Sequence, residues 1–129
     1  SEFMSIFAAN NIMKSIKNFS KMKNIKFGGL IHNQRNNDSN INILKIFADM
    51  TKSKIMGEIP FSKELIKSEL NGKTIAEMYP NSNLYNNFLE LSEKILNNQD
   101  DIDFSPLSEE EMEYLAAEIL KENVYYEEE

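Results

Sequence analysis

Lys26–Asn36 reads KFGGLIHNQRN, and the reading of this stretch decides the fold. A short apolar run with two glycines, Gly28 and Gly29, ends abruptly in Asn33, Gln34, Arg35 and Asn36. A buried parallel strand has this form where its C-terminal end opens into a loop. In open α/β sheets ligands sit at the C-terminal ends of strands, so Asn33 is the first candidate site residue. The same pattern also describes a strand that merely ends in a loop. Gly28 and Gly29 leave two successive positions without side chains, which permits close approach by a neighbouring element.

Outward from this stretch, Ile25–Ile31 is the expected first strand. Upstream, residues 2–21 read as a helix, with Phe3, Met4, Phe7, Ala8, Ile12, Ile16 and Phe19 forming an apolar stripe at spacings of three and four. Lys14, Lys17 and Lys21 lie on another face. Joined with Lys23 and Lys26 they read either as a solvated face opposite a packed one or as a basic patch for nucleic acid.

Downstream of the Asn33–Asn37 loop, Asp38 or Ser39 can cap a helix that runs to about Met50. Its inner face would be Ile41, Leu44, Phe47 and Ala48. Lys54–Ile59 is the second strand, ended by Pro60, which cannot donate to a ladder. Ser62 caps a third helix through Leu70, and Gly72 tolerates positive φ just beyond it. Thr74–Pro80 has a partly helical look. A long helix, Asn81–Asn98, carries Leu84, Phe88, Leu91 and Ile95. Ser108 and Glu111 form a capping box, and Leu107 with Met112 can make the accompanying hydrophobic staple. Met112, Leu115, Ala116 and Ile119 give the last helix its apolar stripe.

This alternation implies the α/β class, with two adjacent parallel strands and about five helices. Two parallel strands are too few to stand alone, because parallel sheets are buried on both faces and flanked by further strands. The chain also opens on a helix with no strand to feed it. The expected architecture is the C-terminal half of a larger doubly wound sheet. Residues 1–98 would form the α/β portion, 99–107 a linker, 108–122 a C-terminal helix and 123–129 an acidic tail.

With 129 residues the chain is one domain at most, long enough to bury a core. The absence of cysteine excludes disulfides and any thiolate-held zinc or iron–sulfur site supplied by this stretch. His32, the single histidine, cannot build a zinc centre alone. No apolar run approaches the roughly 20 residues that span a bilayer, and no signal pattern opens the chain, so a cytoplasmic protein without membrane contact is expected. The net charge of −7 is unevenly spread. Residues 100–129 carry twelve acids and one base, and residues 1–99 nine acids and thirteen bases. The acidic surplus argues against nucleic acid at the C-terminal segment.

SEFMSIFAANNI at Ser1–Ile12, followed by GGLIHNQRN at Gly28–Asn36, resembles the nitrogenase iron protein family. That family comprises ATP-dependent electron-donating reductases and the related donors of tetrapyrrole-reducing enzymes. The similarity continues through IPFSKELIKSELNGKTIAEMYP at Ile59–Pro80. It covers residues 2–98 well and the final helix loosely, and AANNI sets the chain closer to the nitrogenase donors. The resemblance implies a homodimer of a doubly wound P-loop fold, using ATP with Mg and one 4Fe-4S cluster held by two cysteines from each subunit. It implies as partners a missing N-terminal half or a homodimer subunit, and a nitrogenase-like catalytic component that accepts the electrons.

The phosphate loop, the switch regions and the cluster cysteines would lie upstream of this stretch. Nothing here matches G-x-x-x-x-G-K-[ST], whose backbone amides and lysine hold phosphates. By the resemblance, this part contributes the nucleoside-binding wall, with no catalytic residue and no metal ligand. Asn33 matches the family's adenine-contacting asparagine, whose amide both donates and accepts. Pro60 matches the proline that ends the strand beside the nucleoside. Phe61 and Ser62 stand where the family usually has an arginine and an aspartate, and Ile66 and Leu84 where it has two glutamines. Phe88 replaces a tyrosine, and His32 a non-ligand cysteine. Several polar contacts thereby become apolar, which opens an alternative: a degenerate, non-enzymatic interaction module that has lost nucleotide binding.

Overall fold

The computed structural model describes residues 2–35 and 41–127. Among these it has two strands and six helices: α1 (Glu2–Lys23), β1 (Leu30–Asn33), α2 (Ile41–Met50), β2 (Ile55–Ile59), α3 (Lys63–Leu70), α4 (Ile75–Met78), α5 (Asn83–Asn97) and α6 (Glu109–Glu127). The chain is α/β, as its alternation predicts, with one helix more than expected because Thr74–Pro80 contains a separate turn, α4. No helix among the described residues is long and apolar enough to cross a membrane. The caps proposed for α2, Asp38 and Ser39, lie outside the described residues. The chain divides into two compact units.

The first unit takes Ser1–Gly29, Asn40–Lys54 and Asp100–Glu129. Its core is made of Ile6 and Met13 of α1, Ile43 and Phe47 of α2, Phe27, and Phe104, Leu107, Met112 and Leu115 from the C-terminal part. The segment expected as a linker is packed into this core. Phe104 meets Phe27 with ring centroids 4.4 Å apart, and the Lys17 ammonium lies 4.6 Å from the Phe104 centroid. The Ile102 and Ser105 amides donate to the Phe27 and Thr51 carbonyls at 2.9 and 2.8 Å. Polar composition misled here because two apolar residues, spaced three apart among acids, carry the burial.

Asn10, in the middle of AANNI, is buried and explains that motif locally. Its Nδ2 donates to the Leu107 carbonyl at 3.0 Å, and its Oδ1 accepts from the Leu107 amide at 2.7 Å. The side-chain amide thus pairs with a backbone as a neighbouring strand would, leaving no buried polar group without a partner there. Ser108 and Glu111 form the reciprocal capping box of α6, at 3.2 and 3.1 Å. The backbone of α6 stays helical to Glu127, past the expected end at 122, since no Gly or Pro supplies a stop after Lys121.

Two expectations in this unit are corrected. The first strand does not begin at Ile25. Residues 25–29 instead face the 101–104 segment, where the Phe27 amide donates to the Asp101 carboxylate at 3.3 Å. Asn24 and Gly29 adopt φ of +52° and +135°, which breaks an extended run on both sides. The second correction concerns α1, whose buried face is Ile6, Asn10 and Met13; Phe7, Ile12 and Phe19 of the predicted stripe are exposed.

The second unit takes Leu30–Ser39 and Ile55–Gln99. β1 and β2 pair in parallel, with Ile31 opposite Gly57, His32 opposite Glu58 and Asn33 opposite Ile59. A register irregularity falls between Leu30 and Ile31. Helix α5 packs against β2. The contact is close because residue 57 has no side chain: a Cβ there would sit 2.6 Å from Leu91 Cδ1. Ser62, Thr74 and Ser82 cap α3, α4 and α5 through their hydroxyls, and Gly72 takes φ +64° after α3. Each cap satisfies an amide that the first helical turn leaves free, worth about 1 kcal/mol.

Candidate functional site

Parallel pairing puts the C-terminal ends of β1 and β2 side by side, which is where an α/β sheet presents its ligand-facing residues. Asn33 is the last residue of β1 and is exposed. The ladder closes one step further on, where the Gln34 amide donates to the Ile59 carbonyl at 2.9 Å. Pro60 follows at once and, lacking an amide hydrogen, ends the pairing. Register therefore brings Asn33 and Pro60 to the same end of the sheet, although they are far apart in sequence.

Phe61 is half-buried and leads into α3. Ser62 holds the first turn of α3, where its Oγ accepts from the Glu64 amide at 3.1 Å. Ile66, one turn on, is exposed, while Leu84 on α5 is buried and belongs to the core. Phe88, one turn beyond Leu84, is half-buried. The His32 side chain leaves the strand on the opposite face from Asn33, since successive residues alternate. Its Nδ1 is buried without a hydrogen-bond partner.

A shallow groove of about 280 Å³ runs along β2 and α5. Of the predicted site residues only Pro60 lines it. Glu58 from β2 and Asn87, Glu90 and Lys94 from α5 supply its polar groups, over a floor that includes Gly57 and Leu91. These four polar residues were not foreseen. Their signal was present but faint: 87, 90 and 94 share one helical face, and 58 and 60 one side of a strand.

The donor set does not fit an iron–sulfur cluster. The chain has no cysteine, and among the described residues no group of three or more His, Asp or Glu side chains is arranged so that it could hold a metal ion. A phosphate loop is also missing. Gly72-Lys73-Thr74 has the end of such a motif, but Lys67 stands where its first glycine belongs, and only the four-residue α4 follows. At the strand ends themselves stand the exposed amide of Asn33 and, directly after β2, Pro60 and the half-buried Phe61; Phe88 lies on α5.

Residues 1–122 match the family described as 4Fe-4S iron sulfur cluster binding proteins, NifH/frxC family. The chain belongs to that family. It is 36% identical over 116 residues to the nitrogenase iron protein of Methanococcus voltae, covering 90% of this chain and 42% of that protein. It is 38% identical over 121 residues to the nitrogenase iron protein of Methanospirillum hungatei JF-1, with coverages of 92% and 43%. With nitrogenase iron protein 2 of Methanothermococcus thermolithotrophicus it shares 38% over 100 residues, covering 78% of this chain and 34% of that protein. This family member thus spans about two-fifths or less of the length of these curated relatives. Its two-stranded parallel sheet is consistent with part of a P-loop-type doubly wound fold.

Proposed function

We propose that this chain is the C-terminal part of a nitrogenase-iron-protein-like, ATP-dependent electron-donating reductase, and that it contributes the nucleoside-binding wall. The observation that carries this reading is the placement of Asn33 beside the Ile59–Pro60 strand end. An asparagine amide matches the donor–acceptor edge of adenine, while Pro60, Phe61 and Phe88 offer apolar surface to its faces. Ser62 can add a hydroxyl only at the cost of sharing it with its cap.

Phosphate and magnesium binding would come from the remainder of the protein, as would the cluster that carries the electron. The electron acceptor would be a nitrogenase-like catalytic component, and the working unit a dimer. No proton or electron transfer step falls to the residues present here; they orient the nucleoside and exclude water from its base.

The test is reconstitution with the part of the Methanococcus voltae protein that this chain does not match, followed by titration with labelled ATP. The chain alone should bind ATP at millimolar concentration or not detectably. The reconstituted pair should bind more tightly, and Asn33→Ala should weaken it about tenfold, near 1.4 kcal/mol. Equal affinity with and without the Asn33 amide would favour the second reading, a non-enzymatic interaction module. The exposed Ile66 and the buried Leu84, where the family resemblance implies glutamines, support that alternative.

A further inference from the structure

Asn71 and Gly72 close helix α3, and their order has a chemical consequence. Of the four glycines only Gly72 follows an asparagine. Both residues are exposed, and a Cβ built on Gly72 would meet nothing within 4 Å. The carboxamide carbon of any asparagine lies within five-membered-ring reach of the next residue's backbone nitrogen. At every other asparagine of the chain a side chain on the following residue crowds that nitrogen. At Gly72 nothing does.

We propose that Asn71 is a self-modification site, losing its amide through a cyclic imide formed with Gly72. The Gly72 nitrogen gives its proton to solvent base and forms a bond to the Asn71 Cγ. The Cγ–Nδ2 bond breaks, and Nδ2 takes up a proton and leaves as ammonia. Water then opens the ring. Attack at Cγ leaves an aspartyl residue, and attack at the main-chain carbonyl leaves an isoaspartyl residue whose backbone runs through the side chain. The net change is one water consumed, one ammonia released and one negative charge gained, with no oxidant or cofactor.

The fold sets the pace. Asn71 has ψ 2°, which places the Gly72 nitrogen beside the Asn71 backbone nitrogen and away from the side chain. The Gly72 amide donates to the Glu69 carbonyl at 3.0 Å, and the Lys73 amide to the Ser68 carbonyl at 2.9 Å. Asn71 Nδ2 donates to the Lys67 carbonyl at 2.7 Å. Ring closure must release the Gly72 amide and turn the peptide plane between residues 71 and 72. The end of α3 permits this, because the helix has only eight residues, Leu70 beside the turn is 82% exposed, and helix ends open at little cost. Modification then hinders the return. It puts a carboxylate at the negative end of the helix dipole and removes the Nδ2 donor. The isoaspartyl form also adds a methylene to the backbone where the Gly72 and Lys73 amides turn back onto α3.

The inference is independent of the nucleotide reading. It is tested by holding the whole folded chain in mildly alkaline buffer and following it by peptide mass mapping, with isoaspartyl methyltransferase labelling to separate the two products. Residue 71 should lose its amide at least about tenfold faster than Asn24, which is equally exposed but precedes the branched Ile25. Both products should form, and amide exchange at Gly72 and Lys73 should quicken in the modified chain. Asn71→Gln, which cannot close the five-membered ring, should abolish the reaction. Gly72→Ala is compared in urea, where folding plays no part, and should slow it at least about fivefold. An Asn71 that keeps its amide in the folded chain and loses it only in urea would overturn the inference. So would a rate no higher than at Asn24, or a product that is aspartyl alone, since direct hydrolysis would then replace the imide.

Discussion

Replacing Asn10 with alanine removes both hydrogen bonds that tie α1 to the backbone at Leu107. The bonded groups are the Leu107 carbonyl at 3.0 Å and its amide at 2.7 Å, both in buried surroundings. A buried backbone group deprived of its partner costs about 1–3 kcal/mol. Two such groups set a range of roughly 2–6 kcal/mol, and alanine's better helix propensity returns about 0.7 kcal/mol at most. A net loss of about 3 kcal/mol is expected, a large share of the 5–15 kcal/mol typical of a whole domain. Urea unfolding followed by far-UV circular dichroism measures it, and hydrogen exchange at the Leu107 amide reports the site directly. Asn11→Ala is the control: Asn11 is exposed, so its replacement should change stability by less than about 0.5 kcal/mol. If the two variants unfolded at the same urea concentration, the Asn10 clamp would not hold the C-terminal segment and the reasoning would fail.

Asp103→Asn removes an exposed ion pair to Lys17 at 3.1 Å and should leave stability nearly unchanged at any salt concentration; a loss matching that of Asn10→Ala would reverse the ranking of the two anchors. Gly57→Ala places a methyl group 2.6 Å from Leu91 Cδ1 and should destabilise by about 1–2 kcal/mol as Leu91 and α5 shift, which thermal unfolding can read. Thr51→Val removes the buried Thr51 hydroxyl, and with it the bonds to the Phe47 carbonyl and the Ser53 hydroxyl at 2.8 and 2.9 Å, and should cost about 1 kcal/mol in the same assay. The chain on its own should self-associate at micromolar concentration, because a two-stranded sheet leaves edge amides open; a well-dispersed monomer in sedimentation would contradict this.

Local chemistry carried much of the fold into the sequence. Pro60 marked the end of β2 because it has no amide hydrogen, and Ser62 and Ser108 marked helix starts because their hydroxyls reach amides two or three residues on. Asn33 and Pro60 could be placed at one end of the sheet from two facts of pattern, a polar residue ending one strand and a proline ending the next. Parallel pairing did the rest. What the sequence by itself could not determine was which of several apolar faces is used. In α1 the pattern of Ile12, Ile16 and Phe19, at spacings of four and three, is as periodic as that of Ile6, Asn10 and Met13, and burial is decided by what packs there. Only the tertiary structure put Leu107 against Asn10, 97 residues away, and turned an acidic segment into part of a core. The same holds for the groove on β2 and α5. Glu58, Asn87, Glu90 and Lys94 meet because Gly57 lets a helix approach a strand, and periodicity along one segment carries no information about its distance from another.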